Sequence, residues 1–506
     1  MGLLRDDSFL DHPFFSGITL VGRDPRSRFL PNAMRGNPLN GAFGERTLHR
    51  ERGVIMLAKR KLFGTAILIL ISMVFIPMMV FSAEKKVVRI WHTETEPQSV
   101  KAFQQIIDDF EKVHPDITVK QEALAWGDLE AKLTAALAAG APPDASHGQA
   151  VTCASFYAKG LLRDQEDIAA SIGRDNIWEA VRRQCFHDGK YYGIPHSAAT
   201  SLLIYRKDIF KAKGLKPPET WDDFIKVAEA MMERDKDGRV TRYGLSLPGV
   251  GLFINIAVGE LTKANGGRLF DLKTGRPTFT SKEVIEVLDF YKKLTATVLP
   301  PGWLGHGYLD TFANLATGKA AILYQGYGRG AGYIEKYAPK EMANTDHFGV
   351  LVKPRGPSGK ETAAQIDAEP WMIFKNAKFP EEAATFLKFF FKEENYIKYL
   401  HTVPIHLLPT LKSVRNNPAY QANEMVRKWK EWQDMQYRYF DTGQAKPTLI
   451  IEWDDLKLPF GLEILGSGII PDMVTDAVRG MPSAQAAAKA QARAEELITK
   501  LGHKRW

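Results

Sequence analysis

The spacing of hydrophobic and polar positions changes several times along the chain. Val87-Val88-Arg89-Ile90-Trp91 is a short β-branched run that predicts a strand. After Pro97, the residues Val100, Phe103, Ile106, Ile107, Phe110 and Val113 recur at helical spacing, giving one apolar face that His114-Pro115 ends. Ile117-Thr118-Val119 predicts the next strand, and strand, helix and strand this close together make a parallel βαβ unit. A second helix runs through Leu129, Leu133 and Leu137 to Gly140, with a turn at Pro142-Pro143-Asp144. Short helices are expected over about 150–183, a turn at Asp188-Gly189-Lys190, an extended stretch over 191–195 and a buried strand over 202–205. Helices follow near 221–233, 255–265, 281–295 and 309–318, and strands over 320–324 and 348–352. Aromatic-rich helices are expected over 380–400 and 416–440, with an Ala-rich amphipathic helix before Gly502. Strands alternating with helices predict an α/β protein.

One segment stands outside this alternation. Residues 62–81 carry no charge, follow Lys59-Arg60-Lys61 and lead into Ser82 and Ala83. That order describes a secretory signal, cleaved after Ser82 or Ala83. Left uncleaved, 62–81 is long enough to be a membrane anchor. Signal peptides begin close to their basic patch, so Met56 is read as the true start. Residues 1–55 are then a mis-called or disordered leader and 56–83 the signal peptide. Glu51-Arg52-Gly53 can be encoded by a purine-rich run resembling a ribosome-binding site; the alternative for 1–55 is a poorly ordered cytosolic tail. No Cys lies near the cleavage region, which points to a free periplasmic protein rather than a lipid-anchored one.

Composition narrows the function classes. The chain has 506 residues, 45% hydrophobic and 25% charged, which is ordinary globular usage. Its formal charge is +8, but residues 1–83 hold 11 Lys/Arg and 6 Asp/Glu, so most of the excess belongs to the leader. No strongly basic domain remains, and a nucleic-acid partner is not expected. The only two cysteines, Cys153 and Cys185, are a candidate disulfide in an oxidising compartment, with two buried thiols as the alternative. Their spacing is no zinc signature. Gly326-Tyr327-Gly328-Arg329-Gly330 follows a strand but breaks the GxGxxG pattern at Ala331. Gly318-Lys319 is followed by Ala320, so no phosphate loop forms there. Asp235-Lys236-Asp237-Gly238 lacks the later ligands of a calcium loop and reads as a turn. Gly244-Leu245-Ser246-Leu247-Pro248 lacks the second glycine of a nucleophile elbow, and no HExxH occurs. No catalytic residue, metal or cofactor is therefore assigned.

Longer stretches carry a family resemblance. Asp188-Gly189-Lys190-Tyr191-Tyr192-Gly193-Ile194-Pro195 followed by Leu203-Ile204-Tyr205-Arg206-Lys207-Asp208-Ile209-Phe210 resembles the first interlobe crossing of bacterial extracellular solute-binding proteins, family 1, the maltose-binding-protein-like components of carbohydrate ABC transporters. Gly214 to Phe224, Ala264-Asn265-Gly266-Gly267 and the helix-Gly-Lys-strand segment Phe312 to Ala321 continue it. Glu369-Pro370-Trp371-Met372-Ile373-Phe374-Lys375, then Pro380-Glu381-Glu382-Ala383-Ala384, resembles the return crossing. The resemblance covers about 87–500. It departs from the family at Arg206, where Asn or Asp is usual, and at Ala368-Glu369-Pro370, where a Gly-Gly pair often stands.

The resemblance implies a two-lobed periplasmic-binding-protein fold, type II-like, with an interlobe hinge and a ligand cleft. Lobe 1 would take 84–197 and 368–410, and lobe 2 would take 198–367 and 411–506. The implied ligand is a carbohydrate or polyol and the implied partners are ABC permease subunits in the inner membrane, with the protein itself a monomer. Trp91 ends a parallel strand, where such sheets present ligand sites, and Glu94 and Glu96 follow it; the alternative for Glu96 is to cap the helix that Pro97 opens. By resemblance, Trp126, His147 and Gln149 are lobe 1 contacts, Tyr327 and Arg329 lie at a lobe 2 strand end, Glu369 and Trp371 lie at the return crossing, and Trp453 matches a cleft tryptophan. Aromatic rings and paired polar side chains suit sugar faces and hydroxyls. A glycerol-phosphate or phosphodiester binder of the same fold is the nearest alternative. A secreted glycosidase and a membrane-tethered sensor are the others.

Overall fold

The computed structural model describes residues 85–448, 458–504 and 506. The leader and signal segments and Trp453 lie outside the described residues. The described residues form one compact unit, built on two main sheets and a separate two-stranded ribbon.

The strands in chain order are β1 (Lys86–His92), β2 (Ile117–Ala123), β3 (Ala145–His147), β4 (Phe186–His187), β5 (Lys190–Tyr191), β6 (Ile194–Thr200), β7 (Leu202–Arg206), β8 (Glu233–Arg234), β9 (Val240–Ser246), β10 (Ala320–Gly326), β11 (Phe348–Leu351), β12 (Ala364–Ile373) and β13 (Ala445–Lys446). The first sheet runs β2-β1-β3-β12-β13, with β6 also on β12. Its β1 is parallel to β2 and β3, whereas β12 runs antiparallel to β3 and β6. The second sheet runs β11-β7-β10-β9-β8, with β9 and β10 parallel. The helices of eight or more residues are α1 (Pro97–Val113), α2 (Trp126–Ala138), α3 (Ala150–Ala158), α4 (Trp221–Ala230), α5 (Gly251–Ala264), α6 (Lys282–Thr297), α7 (Tyr308–Ala316), α8 (Gly330–Tyr337), α9 (Pro380–Phe390), α10 (Glu393–Leu400), α11 (Lys430–Asp441), α12 (Ile469–Val478) and α13 (Ser483–Lys500).

Each sheet buries an apolar face. The α1 stripe of Phe103, Ile106, Ile107 and Phe110 packs with Val88 and Ile90 of β1 and with Phe386 and Phe390 of α9. In the second lobe Phe224, Leu288 and Tyr291 pack with Ile322 and Tyr324 of β10 and with Met473 and Ile498 of the last two helices. The helix boundaries expected at the C-terminal end shift. The segment 380–400 is two helices, because Lys392 turns extended between α9 and α10. The segment 416–440 is three: Asn417 and Asn423 cap the first two by accepting from following backbone N–H groups, and Trp429, out of helical conformation, separates the second from the third. Asp235 accepts from the backbone N–H groups of Asp237 and Arg239, closing the turn between β8 and β9.

The two lobes are joined where β6 passes into β7 and where the chain enters β12. A fully buried ion pair sits at this junction. Lys353 Nζ bonds Glu260 Oε1, and both side chains are completely enclosed. The other Glu260 oxygen accepts from Ser201 Oγ, from the Gln365 backbone N–H at 3.0 Å and from Gln325 Nε2 at 3.4 Å. Ser201 lies between β6 and β7 and Gln365 is the second residue of β12, so one carboxylate from α5 holds both crossings. The Lys353 ammonium also lies 4.5 Å from the centre of the Tyr324 ring.

Removing one member of such a pair leaves an uncompensated buried charge, which costs about 3–5 kcal/mol. Glu260→Gln is expected to lose that much in equilibrium urea unfolding, and the double variant with Lys353→Met is expected to regain most of it. A loss below about 1 kcal/mol for the single variant would contradict this role.

Candidate functional site

The site grows from one alternation. In β12 the side chains of Ala364, Ile366 and Ala368 are buried in the first core, so Gln365, Asp367 and Glu369 share the opposite face of the strand. Glu369 sits opposite Ser197 of β6, and Ser197 Oγ donates to Glu369 Oε2 at 2.8 Å. Asp367 is partly exposed, and no hydrogen bond to it forms among the described residues. With Gln149, Gln365 and Thr448 it lines a small cavity.

The second lobe approaches this face through the loop after β10. Its glycines permit close packing: a Cβ on Gly328 would lie 2.0 Å from the Ile405 carbonyl oxygen, and one on Gly330 would lie 2.2 Å from the Phe312 ring. The loop therefore lies hard against its neighbours and carries Tyr327 and Arg329 between them. Tyr327 Oη donates to Gln365 Oε1 at 3.2 Å. Its ring joins a cluster with Phe253 and Tyr308, whose rings stack at 4.0 Å, and with His406.

Arg329 reaches across to the loop after β1. Its Nη2 lies 3.2 Å from each Glu94 oxygen, and its Nη1 donates to Glu96 Oε1. Glu94 is almost fully buried, whereas Glu96 is about one-third exposed. One guanidinium thus faces four carboxylates: Glu94, Glu96, Asp367 and Glu369. Burial raises Glu94, with Arg329 opposing and Glu96 adding to the rise. Burial raises Glu369 well above the usual carboxylate range, and Asp367 and Glu94 push it further. Asp367 is pushed up to about 6 by burial, against the pull of Arg329. His406 is held well down, by burial first and then by Arg329.

Behind the carboxylates lies a buried aromatic stack. His147 lies face to face with His196 at 3.8 Å and edge-on to Trp371 at 4.0 Å. Burial holds both histidines well below their ordinary range, and they are neutral at pH 7. His147 Nδ1 faces the Thr93 backbone N–H at 3.4 Å.

The expected site residues divide by location. Glu94, Glu96 and Arg329 are in direct contact across the lobes, with Glu369 near enough to act on Arg329 electrostatically. Tyr327 and Gln149 are buried beside Gln365 and Asp367. His147 and Trp371 are fully enclosed in the aromatic stack. Trp91 packs in a core cluster with Leu129, Leu133 and Met372, under the Lys132 ammonium. Trp126 opens α2 and is half-buried. Cys153 and Cys185 are two buried thiols within hydrogen-bonding reach of each other, not a disulfide. Burial raises the Cys185 thiol well up, while the Cys185 contact brings Cys153 down to about 6. Trp453 lies outside the described residues. Asp367, Gln365, Ser197, Tyr308, His196 and His406 escaped the sequence reading. For the β12 residues the alternation Ala-Gln-Ile-Asp-Ala-Glu was the available signal.

Two lobes on separate sheets, joined by crossing strands around a polar cleft, define a two-lobed binding protein. The sequence matches the profile of the bacterial extracellular solute-binding protein family over residues 94–397, and the chain belongs to that family. The mannitol-binding protein of Pseudomonas aeruginosa is 31% identical over 258 residues, which span 50% of this chain and 57% of that protein. The maltotriose-binding protein of Pyrococcus abyssi is 30% identical over 67% of this chain and 69% of its own length. Among solved structures, an ABC transporter solute-binding protein of Agrobacterium vitis with bound D-mannitol superposes with a TM-score of 0.65, covering 82% of this chain and 99% of that one at 24% identity.

A carboxyl raised to about 6 destabilises the fold above that pH, and the penalty fades as pH falls toward the ordinary aspartate range. Asp367→Asn is expected to exceed wild type in unfolding free energy by about 2–3 kcal/mol at pH 8 and to match it near pH 4. Equal stabilities at pH 8 would contradict the assignment.

Proposed function

We propose that this protein is the substrate-binding component of an ABC importer, capturing a carbohydrate or polyol between its lobes and delivering it to a membrane permease. The observation that carries this reading is the cleft itself, where Arg329 of the second lobe bonds Glu94 and Glu96 and acts electrostatically on Asp367 and Glu369 of β12. Carboxylates accept hydrogen bonds from hydroxyls, and the aromatic cluster of Tyr308 and Tyr327 lies beside them. The mannitol and maltotriose binders among its relatives support the same ligand class. The protein acts as a periplasmic monomer after signal cleavage and leaves its ligand chemically unchanged. Among the described residues, no helix is long and apolar enough to cross a membrane.

A phosphodiester ligand fits this cleft poorly, because its guanidinium, Arg329, is already bonded to Glu94 and Glu96. A glycosidase would use two of the same carboxylates on a scissile bond and return fragments.

Thermal unfolding with a panel of alditols, ketoses, maltodextrins, amino sugars and glycerol phosphodiesters tests the reading. Ligand at a hundred times its dissociation constant stabilises the fold by about 2.7 kcal/mol. The expected result is a clear shift with one sugar or polyol that is recovered intact. A shift confined to phosphodiesters, fragments of the sugar, or no shift at all would overturn it.

A further inference from the structure

We propose that the cleft selects a hydroxylated ligand bearing a protonated amine, an amino sugar or amino alditol, with its ammonium group seated against Asp367. This rests on the solute-binding reading and narrows its ligand class.

The charges in the cleft do not balance. Arg329 divides its hydrogen bonds between Glu94 and Glu96, and its nitrogens bond neither Asp367 nor Glu369. Glu369 takes its hydrogen bond from the neutral Ser197 hydroxyl. Asp367 has no hydrogen-bonding partner among the described residues.

Among the described residues, the cavity beside Asp367 holds two unpartnered side-chain oxygens and one unpartnered amide donor, Gln184 Nε2. Gln149 is only 5% exposed, lines the same cavity, and its Oε1 has no partner among the described residues. Thr448, 4% exposed, lines it too, with its hydroxyl likewise unpartnered. The Gln365 amide oxygen takes the Tyr327 hydroxyl. A hydroxyl brings one proton to such a place, whereas an ammonium brings three donors and the missing charge. A closed cleft around a neutral ligand would leave the Asp367 charge desolvated and unpaired, which is costly.

A metal ion is a poorer occupant. Among the described residues no three His, Cys, Asp or Glu side chains gather as a metal site. An organic cation needs only one carboxylate and neutral acceptors around it.

Isothermal titration at one pH would compare D-glucosamine and 1-amino-1-deoxy-D-sorbitol with D-glucose, D-sorbitol and N-acetyl-D-glucosamine, on wild type, Asp367→Asn and Glu369→Gln. The expected result is at least tenfold tighter binding of an amine than of its neutral and N-acetyl counterparts. Asp367→Asn should remove that preference by weakening the amine tenfold or more and the neutral ligand less than threefold. Neutral binding as tight as amine binding would overturn the ammonium site and leave the polyol reading standing. An amine preference that survives Asp367→Asn and falls in Glu369→Gln would overturn the placement at Asp367. If no amine binds while neutral sugars or polyols do, this proposal fails alone; if nothing hydroxylated binds, the ligand reading fails with it.

Discussion

A single guanidinium spans the cleft. Arg329 stands on the second lobe, at the end of a strand whose loop must be glycine-rich to pass the Ile405 carbonyl and the Phe312 ring. Glu94 and Glu96 stand on the first lobe, just past the end of β1. Burying Glu94 without a cation would be costly, so the position of Arg329 decides whether that carboxylate can be enclosed at all. The arrangement of the lobes, the burial of the carboxylates and the polar lining of the cleft follow from this contact.

The hinge is constrained by a second charged group. Glu260 reaches from α5 to both Ser201 and the Gln365 backbone, and Lys353 neutralises it from behind. Gln365 then passes the constraint to Tyr327 through its amide oxygen. A hydrogen-bonded path therefore runs from the buried hinge pair to the aromatic cluster at the cleft, through residues on three separate chain segments. Domain closure in binding proteins is a hinge motion, and here the hinge strands and the cleft share one polar network.

The sequence made the helices legible and the site only in part. α1 could be read because Phe103, Ile106, Ile107 and Phe110 make one stripe facing one core. The splits within 380–400 and 416–440 were not legible, since the interruptions lie in Asn caps and in the backbone of Lys392 and Trp429, not in glycine or a change of period. No strand was expected over β12, although Gln365, Asp367 and Glu369 alternate strictly with Ala364, Ile366 and Ala368. The loop after β1 could be placed because ligand sites gather at the ends of parallel strands. The tryptophans were less informative. Trp91 and Trp371 fill cores in which an indole is valued for volume, while the rings beside Asp367 and Gln365 are tyrosines from α7 and the β10 loop. Nothing in the local sequence of Tyr308 separates it from an ordinary helix aromatic.

Small-angle X-ray scattering of the ligand-free protein and of Arg329→Gln, both checked for folding by circular dichroism, tests the spanning contact most directly. The expected result is a larger radius of gyration for the variant, with a scattering profile of separated lobes. Identical profiles from two folded proteins would contradict the view that Arg329 holds the lobes together.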